Sequence, residues 1–382
     1  MLTLLITIIT IVYVLLIAGF AYGFEKVKPF KLKDLTPKTR FTVIIPFRNE
    51  AENLPQLLTS IQSLQYPKHL FEIIFVDDDS SDDSIDIIKK VLDTKFSKEN
   101  FTRTDIKVIP NERKTNSPKK DAITTAIEQA KYDWIVTTDA DCKLPKYWLD
   151  SYDEFIQQTD LKCIAAPIAY NTSNGFVNRF QILDFLSLQG ATVGGFGIQK
   201  PFLCNGANFA YAKEAFNSVN GFNGNTKIAS GDDIFLLEKM VKHDPKEVRF
   251  LKCEQAIVTT KPQNSWNGLF EQRIRWASKT SAYNNWFGKL IGLIVLLMNS
   301  VIILSILLSV LGIIKVTILF YVLFIKFNID VLLIYKAATF YNQKNALKSF
   351  FLSFLIYPFF SVYIAFISLF KDYKWKNRSY KK

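Results

Sequence analysis

Two pairs of aspartates directly follow apolar runs, where their carboxylates could bind a charged or polar ligand. Asp77 and Asp78 follow the run FEIIFV, and Asp139 and Asp141 follow the run DWIVTT. Carboxylates at i and i+2 beyond a strand can approach a divalent cation, and Mg²⁺ is typically bound by one or two carboxylates together with substrate phosphates. The first pair can accept N–H or O–H donors from a nucleotide base or ribose. The second pair is the candidate metal site.

A third acidic pair, Asp232 and Asp233, follows Gly231 and precedes a helical pattern. Aspartate is a common helix N-cap, so one of the two can simply cap this helix. Because the chain has only two histidines, His69 and His243, a carboxylate is the better candidate for a general base. His243 is near the third pair in sequence and stays a second candidate.

The first acidic cluster also has interpretations that involve no catalysis. Asp82, Asp83 and Ser84 fit the cap of the helix that follows them. A calcium loop that starts at Asp77 would need glycine at its sixth position and glutamate at its twelfth, where this chain has Asp82 and Ile88. The spacing therefore excludes the calcium loop.

The apolar runs before these acids alternate with helical patterns between residues 41 and 141. The β-rich runs are FTVIIP, FEIIFV, DIKVIP and DWIVTTDAD, and the helical runs are NLPQLLTSIQSL, SIDIIKKVL and KKDAITTAIEQA. This alternation predicts an α/β fold with a mostly parallel sheet and helices on both faces. Ligands of such sheets bind beyond the carboxyl ends of the strands. Asp77 and Asp139 are therefore expected to face one crevice.

The region after Leu161 is less regular. Glycine and asparagine become frequent in residues 189–208, which read QGATVGGFGIQKPFLCNGAN. This composition predicts loops shaped around a ligand.

Apolar segments flank the α/β region. Segments 2–22, 290–314 and 349–370 contain no charged residue, and segment 316–335 is similar but contains Lys326 and Asp330. Each can cross a hydrocarbon core of about 30 Å at about 1.5 Å per residue. We predict an N-terminal anchor (1–24), a catalytic domain (38–285), C-terminal membrane helices (286–371) and a basic cytoplasmic tail (372–382). The first segment has no basic n-region, which favours an uncleaved anchor over a signal peptide.

The distribution of lysines predicts the topology. Residues 25–33 contain four lysines and one glutamate, and residues 371–382 contain six basic residues and one acid. The positive-inside rule places both segments in the cytoplasm, as expected of a bacterial inner-membrane protein. The chain between these two basic segments must then cross the membrane an even number of times. The three apolar segments after the catalytic domain therefore cannot all cross. Pro358 interrupts the last one, which is therefore predicted to be re-entrant or to lie along the interface.

The net charge of +12 also fits a membrane protein. Lysines cluster beside the apolar segments, where anionic headgroups attract them. No nucleic-acid-binding motif accompanies the charge, so we expect no nucleic-acid partner. The four cysteines show neither a C-x-x-C motif nor close pairing, which indicates reduced thiols and no zinc site.

The segment QRIRW (272–276) precedes the second apolar segment. Arginine and tryptophan favour headgroup depth, so the segment could be an interfacial belt. Alternatively, Arg275 could bind a diphosphate and Trp276 could form an aromatic platform.

Six motifs occur in order between residues 41 and 276: PFRNE, VDDDSSDDS, KKDAI, DAD, GDD and QRIRW. Together they resemble the membrane-integrated, inverting family 2 glycosyltransferases with a GT-A fold. That group includes cellulose, chitin and hyaluronan synthases and the ceramide glucosyltransferases. The resemblance implies a GT-A catalytic domain that takes a UDP-sugar as donor and Mg²⁺ or Mn²⁺ as cofactor.

The resemblance implies a role for each donor-site residue. Lys119, or alternatively Lys120, would reach the diphosphate. The metal would lie between this diphosphate and the carboxylates of Asp139 and Asp141. The residues that would hold the uridine are Pro46, Glu50, Asp77 and Asp78.

The resemblance also implies the catalytic and acceptor residues. Asp233, or its neighbour Asp232, would deprotonate the acceptor hydroxyl for attack at the anomeric carbon. Arg275 would neutralise the leaving UDP. The residues that would shape the acceptor site are Gln272, Trp276, Asn205 and Gly206.

The chain departs from the family pattern in three places. Asp79 occupies the position where many relatives have a turn glycine, GDD differs from the T-E-D of cellulose synthases, and the membrane part looks too small for a polysaccharide channel. The last departure favours transfer of one sugar to a membrane lipid or lipid-linked acceptor. The Q-x-x-R-W motif favours the alternative, a processive polysaccharide synthase. A sugar nucleotidyltransferase is a second alternative, although its usual Gly-rich loop is missing, and a non-enzymatic scaffold would not need acids at successive strand ends.

Overall fold

The computed structural model describes residues 1–95, 105–172, 174–226, 228, 230–278, 284–370, 373–375 and 378–380. The chain forms two compact units. The first comprises Lys28–Ala169 and Leu203–Lys261, and the second comprises Met1–Val27, Tyr170–Phe202 and Pro262–Lys382. We call them the sheet unit and the helical unit. The predicted domain 38–285 therefore contributes residues 170–202 and 262–285 to the helical unit.

The first three strands have six or seven residues each, and the later strands have two to four. They are β1 (Phe41–Phe47), β2 (Phe71–Asp77), β3 (Asp105–Pro110), β4 (Trp134–Thr137), β5 (Cys142–Lys143), β6 (Cys163–Ala165), β7 (Ile168–Tyr170), β8 (Phe209–Ala212), β9 (Val248–Phe250), β10 (Val258–Thr260), β11 (Tyr373–Trp375) and β12 (Arg378–Tyr380).

The helices of the sheet unit are short and those of the helical unit are mostly long. They are α1 (Leu2–Lys26), α2 (Leu54–Gln62), α3 (Ser84–Lys95), α4 (Pro118–Glu128), α5 (Trp148–Gln157), α6 (Phe176–Gly197), α7 (Lys213–Ser218), α8 (Asp232–His243), α9 (Trp266–Ala277), α10 (Trp286–Val310), α11 (Val316–Phe340) and α12 (Phe350–Ser368).

The sheet unit contains a mixed sheet with strand order β3-β2-β1-β4-β8-β6-β9. Strands β1 to β4 are all parallel, and β8 runs antiparallel to both of its neighbours. Strands β1 and β2 are almost wholly buried, as expected of apolar runs in the centre of a sheet with both faces covered. The register pairs Phe47 with Asp77, so β1 and β2 end at the same level. The predicted α/β fold with a mostly parallel sheet is confirmed.

The prediction of loops throughout residues 189–208 is wrong. Residues 189–197 are the end of helix α6, and their glycines allow it to pack closely against α1. A Cβ atom on Gly194 would lie 2.5 Å from the carbonyl oxygen of Phe20, and one on Gly197 would lie 1.8 Å from that of Gly23. Small residues that let helix backbones approach are typical of helix pairs in membranes. Close helix packing therefore explains these glycines.

Within the described residues, four helices are long and apolar enough to cross a membrane: Leu2–Lys26, Trp286–Val310, Val316–Phe340 and the helical segment Lys344–Ser368. The last segment contains α12, which continues through Pro358 without a turn. This helix is long enough to cross, and nothing in its geometry decides between the predicted re-entrant and interfacial arrangements. That the segment does not cross stays a prediction.

The two charges in α11 lie one helical turn apart and form an ion pair. The ammonium of Lys326, 1% exposed, forms an ion pair with Asp330 one turn later. The hydroxyl of Tyr13 in α1 donates to Asp330 at 2.6 Å. The rings of Tyr13, Phe354 and Tyr357 lie within 6 Å of the Lys326 ammonium. Pairing and cation–π contacts offset the cost of burying these charges among apolar helices.

Candidate active site

The acids predicted from the end of β2 lie at the carboxyl edge of the sheet, beside the end of β1. The amide of Asp78 donates to the carbonyl of Phe47, and the amide of Ser80 donates to the Asp77 carboxylate at 3.1 Å. Asp79 has a φ of 64°, which lies in the left-handed region that glycine adopts without strain. Aspartate tolerates that conformation better than most residues, so this turn can form without glycine.

Pro46 and Glu50 lie at the same edge. Pro46 is paired with Val76 in the β1–β2 register, one residue before Asp77. The amide of Glu50 donates to Ser84 at 2.8 Å, and its carboxylate accepts from Asn53 at 2.6 Å. The loop after β1 is therefore held against the start of α3, next to the acidic turn.

Asp78 has a partner that the sequence analysis missed. Arg113, just beyond β3, binds one oxygen of Asp78 through Nε at 2.7 Å, and Asn111 donates to the same oxygen at 2.7 Å. Asp78 is buried, whereas Asp77 is half-buried. Of the two, Asp77 is therefore better placed to accept from a ligand. The rule that strand ends form the site would also have found Arg113, because it follows the third strand.

Lys119 is the link between the other two acidic clusters. Its ammonium lies 2.7 Å from Asp139 and 3.2 Å from Asp232. Burial lowers the pKa of Lys119, but the negative charges of Asp139 and Asp232 outweigh this effect and raise its pKa well above the usual lysine value. Lys119 is therefore a permanent positive charge among these carboxylates.

Lys120 does not join this cluster. Its side chain is 1% exposed, and its ammonium donates to the carbonyls of Asn225 and Ile228 at 2.7 and 3.0 Å. It also lies 4.8 Å from the centre of the Phe235 ring. The sequence names Lys119 or Lys120 as the candidate to reach the diphosphate. In the structure Lys119 contacts the acids, and Lys120 binds backbone carbonyls before α8.

The third acidic pair begins helix α8 and contacts the predicted acceptor segment. The N-cap, Gly231, has a φ of 83°, which glycine adopts without strain. The amide of Gly206 donates to Asp233 at 3.0 Å, and a Cβ atom on Gly206 would lie only 2.7 Å from an oxygen of Asp232. The neighbouring Asn205 side chain accepts from the amide of Ala207 at 3.0 Å.

The second candidate base is far from this cluster. His243 is exposed at the other end of α8, ten residues after Asp233. At about 1.5 Å per residue the two are separated by about 15 Å along the helix. The structure therefore leaves the carboxylates as the candidate bases.

Asp139 and Asp141 fit a divalent cation only as part of a larger ligand set. Asp139 is two residues beyond β4, with a side chain 36% exposed, and Asp141 directly precedes β5. Among the described residues, no group of three or more His, Cys, Asp or Glu could hold a metal alone. Two carboxylates suit Mg²⁺ or Mn²⁺ when substrate phosphates supply further ligands. Such an ion would polarise and neutralise the diphosphate.

The thiols near the site are not candidate ligands or nucleophiles. Burial raises the pKa of Cys142, and the charges of Asp141 and Asp139 raise it further. Burial and the charge of Asp233 have the same effect on the pKa of Cys204. Both thiols therefore stay protonated near neutral pH.

Gln272, Arg275 and Trp276 belong to the helical unit. Gln272 accepts from the hydroxyl of Tyr170 at 3.1 Å. The carbonyl of Arg275 accepts from the Ser278 hydroxyl at 3.0 Å. Their roles toward a donor and an acceptor stay predictions.

Two family models match this chain. Glycosyl transferase family 2 matches residues 42–219, and Glycosyl transferase family group 2 matches residues 134–342, more than half of the chain. The protein belongs to the family 2 glycosyltransferases. The resemblance stated from its motifs is confirmed, and the nucleotidyltransferase and scaffold alternatives are set aside.

Curated relatives include two bacterial proteins. The poly-beta-1,6-N-acetyl-D-glucosamine synthase of Staphylococcus epidermidis is 24% identical over 278 residues, which cover 69% of this chain and 61% of the relative. The probable glycosyltransferase YdaM of Bacillus subtilis is 25% identical over 258 residues, which cover 66% and 58%. The matched part spans about three fifths of the length of these relatives.

A solved structure confirms the fold over nearly the whole chain. The mannosyltransferase PcManGT from Pyrobaculum calidifontis, in complex with GDP-Man and Mn²⁺, superposes with a TM-score of 0.58. The match covers 97% of this chain and 99% of that one, at 16% identity. The GT-A fold predicted for the catalytic domain is therefore confirmed.

Proposed function

We propose that this glycosyltransferase moves a sugar from a UDP-sugar onto a growing glycan, with inversion at the anomeric carbon, at the cytoplasmic face of a membrane. The observation that carries the proposal is the ion-pair bridge from Asp139 through Lys119 to Asp232. It brings a predicted metal ligand, a cation for the diphosphate and the acidic start of α8 into one cluster. The diphosphate of the sugar donor and the hydroxyl of the sugar acceptor can then bind at adjacent groups.

The family resemblance implies the roles of the donor-site residues. Asp77, with Pro46 and Glu50, holds the nucleoside, and Asp139 and Asp141 would hold a divalent cation, which would neutralise charge on the diphosphate. The acceptor hydroxyl attacks the anomeric carbon from the face opposite the diphosphate. The bond between that carbon and the diphosphate oxygen breaks, and UDP leaves with the electron pair.

The acceptor proton goes to a carboxylate at the start of α8. Asp233 is half-buried, whereas Asp232 is 7% exposed and paired with Lys119. A general base must come within hydrogen-bond reach of the acceptor hydroxyl. Accessibility therefore favours Asp233 as the base and Asp232 as the partner that holds Lys119.

The glycan acceptor is supported by the curated relatives named as poly-β-1,6-N-acetylglucosamine synthases and by the QRIRW segment on α9. The lipid acceptor favoured in the sequence analysis is the second candidate, supported by the small number of long apolar helices that the described residues contain after the sheet unit. The two differ in product. Polymerisation gives long glycans, and lipid glycosylation gives one sugar per lipid.

The test uses the full chain reconstituted in lipid nanodiscs with UDP-N-acetylglucosamine, then with UDP-glucose and UDP-galactose. UDP release and product mass are measured together. We expect UDP release with a water-soluble glycan of many residues. A single sugar recovered only in the lipid extract would support the second candidate. No UDP release with any of these donors would contradict the proposed use of a common UDP-hexose.

A further inference from the structure

The segment QRIRW contains a second arginine whose side chain points into the helical unit. Arg273 is 5% exposed, and its Nε lies 2.6 Å from the carboxylate of Asp184, also 5% exposed, in α6. This pair fixes α9 to α6 through a charge-assisted hydrogen bond. Gln272, Arg275 and Trp276 surround Arg273 in sequence, and the resemblance assigns roles only to those three.

Arg273 contacts two of the residues predicted for the acceptor site, Gln272 and Trp276. Its Nη1 donates to the side-chain oxygen of Gln272 and lies 3.4 Å from the hydroxyl of Tyr170. Its guanidinium carbon lies 4.2 Å from the centre of the Trp276 ring. One planar group therefore orients an amide by hydrogen bonding and an indole by stacking, which a lysine could not do.

The surroundings hold this arrangement in place. The ring of Phe185, the residue after Asp184, packs against two other rings. The distance between ring centres is 4.6 Å to Tyr170 and 6.3 Å to Trp276. Gln343 donates to the carbonyl of Tyr170 at 2.6 Å. Arg273 therefore lies at the centre of a cluster from several elements of the helical unit.

The fold alone does not account for a buried ion pair here. Replacement of a buried pair by apolar residues of similar volume is often neutral or stabilising, so burial of two charges is weak evidence for a role in stability. The protein also leaves part of the guanidinium unused. Among the described residues, the buried Nη2 of Arg273 has no hydrogen-bond partner.

We propose that Arg273, fixed by Asp184, is a positioning residue that sets the orientation of Gln272 and Trp276 for binding of the acceptor. The inference rests on the proposed function, because those two residues act on the acceptor only in a glycosyltransferase of this type. It adds the requirement for a planar guanidinium at position 273, not merely a positive charge.

The test compares Arg273→Lys with wild type in nanodiscs. The added acceptor is an oligosaccharide of β-1,6-linked N-acetylglucosamine. We expect its KM to rise about tenfold, because small misplacements of orienting groups cost that much or more. We expect the affinity for UDP with Mn²⁺ to stay within twofold of wild type. The matched control is Lys336→Gln, which breaks the exposed ion pair with Glu25 in the same unit and should leave both constants unchanged.

A second variant separates the loss of the guanidinium from the destabilising effect of an unpaired buried charge. The double change Arg273→Met and Asp184→Leu removes both charges, so that no buried charge is left unpaired. We expect its melting temperature to stay near wild type and its acceptor KM to rise as in Arg273→Lys. All kinetic values are normalised to the number of UDP-binding sites, so a partly misfolded sample does not mimic a loss of acceptor affinity.

The inference is overturned if either Arg273→Lys or the double variant keeps the wild-type KM for acceptor. The product of the wild-type protein tests the proposed function separately. If wild type glycosylates a lipid, the glycan proposal fails, and the ratio of variant to wild-type KM for that lipid still decides the role of Arg273.

Discussion

Lys119 in the first turn of α4 forms an ion pair with Asp232 in the first turn of α8, with 3.2 Å between ammonium and carboxylate. Two helix N-termini therefore meet at this pair. Helix N-termini carry partial positive charge and bind phosphate groups well. Together with Lys119, the two N-termini supply positive charge and N–H donors that can bind a diphosphate beside these acids.

Replacement of Lys119 tests this arrangement. We expect Lys119→Met to weaken binding of UDP with Mn²⁺ by about 1.5–3 kcal/mol, the usual worth of a hydrogen bond to a charged group. Isothermal titration calorimetry measures the change. The matched control, Lys120→Met, should lower the melting temperature and leave UDP affinity largely intact, because Lys120 anchors Asn225 and Ile228. Equal UDP affinities in the two variants would contradict the assignment.

Replacement of the two aspartates of α8 tests the base. Asp233→Asn keeps the shape of the side chain and loses its basicity, so UDP binding should survive while transfer falls by about 10²–10⁴-fold. Asp232→Asn should instead disturb Lys119 and reduce UDP binding. Single-turnover transfer and UDP titration separate the two effects. Intact binding with no transfer in Asp232→Asn would reverse the assignment.

The metal requirement is tested by chelation and by substitution. We expect EDTA to abolish transfer and Mn²⁺ or Mg²⁺ to restore it, because the two carboxylates and the diphosphate together form the ligand set. The double variant Asp139→Ala and Asp141→Ala should not recover with either metal. Asp83→Ala, at an exposed position in the acidic turn, serves as the control. Full activity of the double variant would exclude this metal site.

The glycine contact between α1 and α6 predicts a difference between two neighbouring substitutions. A Cβ atom on Gly23 would lie 2.1 Å from the carbonyl oxygen of Gly194, whereas one on Gly19 would meet nothing within 4 Å. We expect Gly23→Ala to destabilise the protein by about 1–3 kcal/mol through overpacking. Gly19→Ala should be neutral or stabilising, by up to about 1 kcal/mol from helix propensity. Thermal unfolding in detergent compares them, and equal stabilities would contradict the contact.

The topology is tested by cysteine labelling of intact cells with a membrane-impermeant maleimide. We expect no labelling of Lys382→Cys from outside, because its basic segment is predicted to be cytoplasmic. Lys315→Cys, between α10 and α11, should be labelled if the sheet unit is cytoplasmic. Burial raises the pKa of the native Cys142, Cys163 and Cys253, which keeps the background low. External labelling of Lys382→Cys would mean that α10, α11 and α12 all cross.

The sequence predicted the parallel part of the sheet and the acids at its edge because both are local signals. An apolar run specifies a buried strand, and an acid directly after it must lie at the strand end. The ion pairs of Lys119 and Arg113 join residues that are distant along the chain, so no spacing rule distinguishes Lys119 from Lys120. The end of α6 was missed because glycine normally indicates a loop. Here tertiary packing against α1 outweighs the low helix propensity of glycine.

The insertion of α6 between β7 and β8 has a consequence for how the protein is made. Strand β8 lies between β4 and β6 in the sheet, yet it leaves the ribosome only after α6. Synthesis runs from the N-terminus at a finite rate, so the centre of the catalytic sheet stays open until a helix of the other unit has been translated. No uninterrupted fragment of the gene can encode the sheet without α6. A soluble version would require residues 170–202 to be replaced by a designed linker.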